Sequence, residues 1–62
     1  MNNIKLIRNR LKMSQKELAE KANITPPYLY DLENGRRGAK QETLERIANA
    51  LGVSVEELMR DG

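Results

Sequence analysis

Cysteine is absent from this 62-residue chain, and so is histidine. Without cysteine, neither a disulfide framework nor a thiolate zinc site can staple it. Without histidine, it lacks the commonest general base and the commonest metal ligand. Tryptophan and phenylalanine are missing too, so Tyr28 and Tyr30 are the only aromatic residues. No apolar run approaches the length of a membrane span, and the start, Met-Asn-Asn-Ile-Lys, lacks the apolar stretch of a signal peptide. These absences argue against an enzyme. They lead us to expect a soluble, cytoplasmic chain with no cofactor, no metal and no small-molecule ligand, organised as a single domain over residues 1–62. A domain this small without staples relies on compact helix packing, on a partner, or on both.

Charge is plentiful but unevenly placed. Residues 1–40 carry nine bases and four acids, and residues 41–62 carry two bases and five acids, so a segment of +5 is followed by one of −3. Such asymmetry suggests one positive working end and one neutral-to-acidic end. A soluble domain with a mixed surface is the plainer reading of the same numbers.

Helical periodicity dominates, and no segment reads as a strand. Ile4, Ile7 and Leu11 recur at the spacing that places side chains on one helical face. Ser14 with Glu17 three residues later is a capping box, which predicts a second helix from Gln15 burying Leu18, Ala19 and Ala22. Asn23 tolerates the left-handed backbone that stops a helix. Thr25-Pro26 is another start signal, with threonine as the cap and proline where its missing N–H costs nothing. That third helix buries Leu29 and Leu32 and stops in left-handed fashion near Asn34-Gly35. Arg36 to Lys40 is a basic connector. Leu44, Ile47, Ala48 and Leu51 mark a fourth helix over about 41–51, stopped by Gly52. Ser54 and Glu57 form a second capping box for a short fifth helix over about 55–60, burying Val55 and Leu58. The expected fold class is all-α, a compact five-helix bundle.

Two helices joined by only three or four residues must cross steeply. The crossing needs a small residue at the contact (Ala19), a residue that accepts positive φ in the turn (Asn23) and apolar residues inside the second helix (Leu29, Leu32). These constraints describe a helix-turn-helix over about residues 15–34, whose second helix can project into a DNA major groove. Helix pairs of this outline also occur as plain packing.

Residues 14–25 (Ser-Gln-Lys-Glu-Leu-Ala-Glu-Lys-Ala-Asn-Ile-Thr), 28–37 (Tyr-Leu-Tyr-Asp-Leu-Glu-Asn-Gly-Arg-Arg) and 42–54 (Glu-Thr-Leu-Glu-Arg-Ile-Ala-Asn-Ala-Leu-Gly-Val-Ser) resemble the phage-repressor family of helix-turn-helix domains, the Cro and Xre type. The likeness runs from about Ile4 to Met59. It implies a lambda-repressor-like bundle and sequence-specific binding of double-stranded DNA as a small bacterial or phage-type transcriptional regulator. It further implies that Gln15 packs against the DNA backbone and helps hold the reading helix, the alternative being a solvated first-turn residue. Asn34, Arg36 and Arg37 match the segment that commonly meets phosphates, in keeping with the charge neutralisation such side chains provide. Their alternative is a solvated basic loop. Arg8 and Glu33 match positions that often form a partly buried ion pair between helix 1 and the end of the reading helix.

The reading helix departs from the usual pattern. Pro26 and Pro27 stand where polar side chains usually face base edges, which leaves only apolar contact there, for instance with a thymine methyl. Tyr28 can reach a phosphate or base edge through its hydroxyl, and Tyr30 stands where a small polar residue is common. Both tyrosines can instead pack on the connector or a partner. Asp31 can accept from a cytosine amino group, at a cost beside phosphates. Arg36, Arg37 and Lys40 can also reach base edges, with arginine to guanine the commonest specific contact. Gly38-Ala39-Lys40-Gln41 departs from the usual proline and serine cap before helix 4.

The expected partners are double-stranded DNA and a second copy. A homodimer would form through the C-terminal helices, where Met59, Val55, Leu58 and Leu51 can make an apolar patch; for Leu58, closing the monomer core is the favoured role. Two-fold dimers read half-sites about one helical turn apart. With no ligand-sensing domain, control would come from concentration, dimerisation or a partner protein. The rival reading is a protein-interaction module of the same fold, an antitoxin or anti-regulator.

Overall fold

In the computed structural model, which describes residues 2–60, the chain folds as five helices: α1 (Ile4–Arg10), α2 (Gln15–Ala22), α3 (Pro26–Glu33), α4 (Gln41–Leu51) and α5 (Val55–Met59). Met1, Asp61 and Gly62, the ends of the expected domain, lie outside the described residues. Among the described residues there is no strand.

Each expected N-terminal cap forms. The hydroxyl oxygens of Ser14, Thr25 and Ser54 accept hydrogen bonds from the backbone N–H of Glu17, Tyr28 and Glu57 at 3.0, 3.3 and 3.0 Å. Each satisfies one of the N–H groups that the first helical turn leaves without a partner. Helix α4 starts at Gln41 as expected, although Lys40 caps it with no side-chain bond.

The ends of α1 to α4 share one device. Lys12, Asn23, Gly35 and Gly52 all have positive φ, between 57° and 74°. After each, the backbone makes the paired bonds of a Schellman motif, such as Met13 N–H to Arg8 O and Lys12 N–H to Asn9 O. The residue that follows then leaves the helix axis. Met13, Ile24 and Val53 use that exit to pack against the core. After α3 the same position is Arg36, which is exposed.

Two expectations about these ends need correction. The left-handed residue after α3 is Gly35 alone, because Asn34 has φ −95°. Leu11, read as a core position of helix 1, is half exposed at 50%. The reason is packing: Leu11 keeps the helical bond to the Ile7 carbonyl at 3.0 Å, but the core closes over Ile4 and Ile7 without reaching it, and past the turn at Lys12 the inward position belongs to Met13.

The core comprises Ile4, Ile7, Leu18, Ala19, Ala22, Leu29, Leu32, Ile47, Ala48, Leu51 and Leu58. Helix α2 lies against both α3 and α4, and α5 joins α4 to α1. Leu51 is buried, so it is unavailable to the apolar patch expected at the C-terminal helices. Leu58 is buried as favoured, and Val55 packs partly against the core. Helix α5 ends at Met59, one residue earlier than expected.

Candidate nucleic-acid interface

Helices α2 and α3 meet across Asn23-Ile24-Thr25, with Ala19 buried on α2 and Leu29 and Leu32 buried on α3. Asn23, at φ 58° and ψ 47°, makes the turn, and Ile24 tucks inward. Helix α3 thereby gives one face to the core and the other to solvent.

A buried three-way junction sets the orientation of α3. Arg8 Nε donates to Glu33 Oε2 at 2.7 Å, and Arg8 Nη2 donates to Glu33 Oε1 at 3.2 Å. Arg8 Nη1 donates to the Met13 carbonyl at 2.9 Å, and Gln15 Nε2 donates to Glu33 Oε1 at 2.9 Å. One carboxylate therefore binds α1, the start of α2 and the end of α3 together. The two-pronged guanidinium–carboxylate geometry is the strong, directional form of an ion pair. Its side chains are only 9% and 1% exposed, and no buried side-chain polar atom among the described residues lacks a partner.

Two more ties were not visible in the sequence. Asn2 Nδ2 donates to the Leu32 carbonyl at 2.8 Å, holding the last turn of α3. Arg46 Nε donates to the Ala22 carbonyl at 3.0 Å, so α4 satisfies a free carbonyl at the end of α2. Arg46 Nη1 also meets Glu42 Oε1 at 3.2 Å. Arg46→Ala is expected to lower stability by about 1 kcal/mol, because water can take over part of the lost bonding. Urea denaturation checks this, and an unchanged midpoint would mean that water replaces the bond fully.

The outward side of α3 carries most of the residues singled out. Pro26 and Pro27 are exposed in its first turn. Tyr30 is exposed and Asp31 half-buried in the middle. Asn34 is exposed at the end, its Nδ2 donating to the Tyr30 carbonyl at 2.8 Å. Tyr28 is half-buried, and its hydroxyl donates to the Gly38 carbonyl at 3.4 Å. That is the alternative in which Tyr28 packs on the connector. The connector folds back so that the Arg37 guanidinium lies 5.0 Å from the centre of the Tyr28 ring and that of Arg36 lies 5.6 Å from the Tyr30 ring. The structure thus brings Arg36 and Arg37 of the connector back beside Tyr30 and Tyr28 of α3, with Asp31 in the middle of the helix and Asn34 at its end. Gln15 is separate from this group and held by Glu33, and Lys40 stands at the far end of the connector as the cap of α4. Among the described residues, no His, Cys, Asp or Glu cluster can hold a metal ion, and no helix is long and apolar enough to cross a membrane.

A steeply crossed helix pair with a three-residue turn and a solvent-facing second helix is a helix-turn-helix. The chain belongs to the helix-turn-helix family, whose model matches residues 4–58. Over 52 residues it is 48% identical to the immunity repressor protein of Bacillus phage phi105, covering 84% of this chain and 36% of the repressor. It is 32% identical over 57 residues to the control protein C.MunI of a Mycoplasma species, covering 92% of this chain and 77% of that protein. Among solved structures it resembles SinR, the master regulator for biofilm formation, in complex with DNA. There the TM-score is 0.80 with 35% identity, over 86% of each chain. The clp gene regulator ClgR from Corynebacterium glutamicum matches with a TM-score of 0.84 and 35% identity, over 87% of this chain and 57% of that one. The chain spans about a third of the length of the first curated relatives it matches. The resemblance to phage repressors read from residues 14–54 therefore holds, and so does the all-α five-helix bundle.

Proposed function

We propose that this chain binds double-stranded DNA with sequence specificity as the single-domain reading module of a bacterial or phage-type transcriptional regulator, with α3 in the major groove. The carrying observation is the outward face of α3, free of core duty and ending in two exposed arginines. Its likeness to SinR, a protein solved on DNA, supports the same reading. Asn34, Arg36, Arg37 and Lys40 neutralise phosphates or reach base edges, while Gln15, anchored by Glu33, packs against the backbone beside the reading helix. Pro26, Pro27, Tyr30 and Asp31 face the bases. Tyr28, its hydroxyl engaged with Gly38, contributes its ring and the position of the connector.

The working form is a cytoplasmic homodimer, at least on DNA. Met59, 45% exposed on α5, is its apolar contact, and the acidic charge of that end keeps the surface off phosphates. Two copies then present two α3 helices to half-sites about one helical turn apart.

The test is selection of bound duplexes from a random pool, followed by affinity against salt. We expect an inverted repeat and a log–log salt slope of about −0.9 for each phosphate neutralised. Recovery of no motif by folded protein, or an affinity indifferent to salt, would overturn the reading in favour of a protein-interaction module. A single unrepeated half-site with monomeric sedimentation on DNA would overturn the dimer alone.

A further inference from the structure

The two prolines at the start of α3 remove side-chain hydrogen bonding from one end of the reading helix, so specificity must come from elsewhere. The arrangement of the two tyrosines that follow the prolines is unusual. Tyr28 and Tyr30 are two residues apart, so their side chains leave the helix about 160° apart, toward opposite flanks of its outward face. Arg37 and Arg36, adjacent in the chain, cover one ring each. The positive φ of Gly35 makes this possible, because the Schellman turn sends the chain across the end of α3 instead of onward. Arg36 sits where the equivalent residues after α1, α2 and α4 are apolar and turn into the core.

Ring contact engages the face of a guanidinium and leaves its in-plane N–H groups available. Among the described residues, neither Arg36 nor Arg37 forms an ion pair, in contrast to Arg8, Arg46 and Arg60. Each guanidinium therefore lies beside a ring that limits its freedom, with its N–H donors in no ion pair. The planar fork of donors matches the paired acceptors O6 and N7 of guanine, and prior restriction lowers the ordering cost of binding. A phosphate accepts the same fork, but phosphates are present in every sequence, so only recognition of guanine makes the affinity depend on sequence.

We propose that Tyr28 and Tyr30 are positioning residues that hold the guanidinium groups of Arg37 and Arg36 for bidentate recognition of guanine, placing the sequence readout on the arginines of the connector that follows α3. This rests on the DNA-binding reading above and adds to it the bases that are read and the residues that aim the readers. Each half-site then contains guanines facing the two arginines of the connector.

The experiment measures affinity for a selected duplex and for a scrambled duplex, using the wild-type chain, Arg36→Lys, Arg37→Lys, Tyr30→Leu and Tyr30→Phe. Tyr30 is 46% exposed, so its truncation leaves the core intact, and circular dichroism checks the fold of every variant. Each arginine-to-lysine change is expected to reduce the preference for the selected duplex at least about fivefold, with affinity for the scrambled duplex nearly unchanged. Tyr30→Leu reduces the preference in the same direction, and Tyr30→Phe restores it because the ring, not the hydroxyl, is the platform. Replacing the selected guanines by 7-deazaguanine, which lacks the N7 acceptor, weakens wild-type binding but adds little to the loss in the lysine variants.

Equal losses on both duplexes would make the arginines phosphate clamps and overturn the proposal. So would a selected motif without guanine, or a wild-type preference in Tyr30→Leu. Failure of the folded wild-type chain to bind either duplex would instead overturn the DNA-binding reading itself.

Discussion

Glu33→Ala is expected to cost about 3–5 kcal/mol of folding stability, because it strands the buried Arg8 guanidinium without its counter-charge. The carboxylate is 1% exposed and holds three donors, two from Arg8 and one from Gln15. With it gone, Arg8 keeps only its bond to the Met13 carbonyl. Urea denaturation followed by circular dichroism gives the number. The loss belongs to breaking the pair more than to the pair's own worth. Replacing both partners by apolar residues of similar volume, as in Arg8→Met with Glu33→Leu, is therefore expected to restore much of the stability. A loss below about 1 kcal/mol for Glu33→Ala would mean that water enters and solvates Arg8, and that the junction does not set the angle of α3. If the double variant is stable yet binds DNA poorly, the junction serves to orient Gln15 and the reading helix.

Leu29→Ala is expected to cost about 2–5 kcal/mol, the usual range for a fully buried leucine whose surroundings close only partly over the cavity. Leu29 is 0% exposed, on the inner face of the same helix whose outer face carries the candidate contacts. Total stability scales to roughly 3–9 kcal/mol for a chain of this length, so this one truncation can unfold much of the population. The measurement is thermal unfolding, with DNA affinity followed over the same temperature range. Apparent affinity falls in step with the folded fraction, since only the folded state presents α3. Leu11→Ala is the matched control. As Leu11 is half exposed, its removal is expected to change stability by no more than about 0.5 kcal/mol. Equal effects at the two positions would contradict the assignment of Leu29 to the core and Leu11 to the surface.

Those two leucines also mark the boundary of what periodicity reveals. Ile4, Ile7 and Leu11 have the spacing of a buried face, and only the first two are buried. The pattern gives the face of α1, and Leu11 keeps the helical bond to Ile7, but packing decides how much of that face is covered. The left-handed stop of α1 is at Lys12, a residue type that gives no such signal, whereas Asn23 and Gly52 announce theirs. Thr43 is buried at the start of α4 for a similar reason, since its place depends on what packs over it.

For the candidate site the division is alike. Pro26, Pro27, Tyr28, Tyr30 and Asp31 were legible as a group because the turn and the buried pair Leu29 and Leu32 determine which side of α3 faces out, while Asn34, Arg36 and Arg37 came from the resemblance of residues 28–37 to phage repressors. The stacking of Arg36 on Tyr30 and of Arg37 on Tyr28, and the Tyr28 hydroxyl on Gly38, were open alternatives until the path of the connector was known.

The sequence by itself determined the helix class, the caps at Ser14, Thr25 and Ser54, the turn at Asn23 and the membership of the helix-turn-helix family. All of these rest on interactions between residues a few positions apart or on patterns written along the chain. Only the tertiary structure decided that Gln15 joins the Arg8–Glu33 pair, that Asn2 holds the Leu32 carbonyl, that Arg46 caps α2 and that Leu51 is withdrawn from the surface. Each depends on groups brought together across long stretches of chain, and their meeting is set by how the helices pack rather than by any local preference.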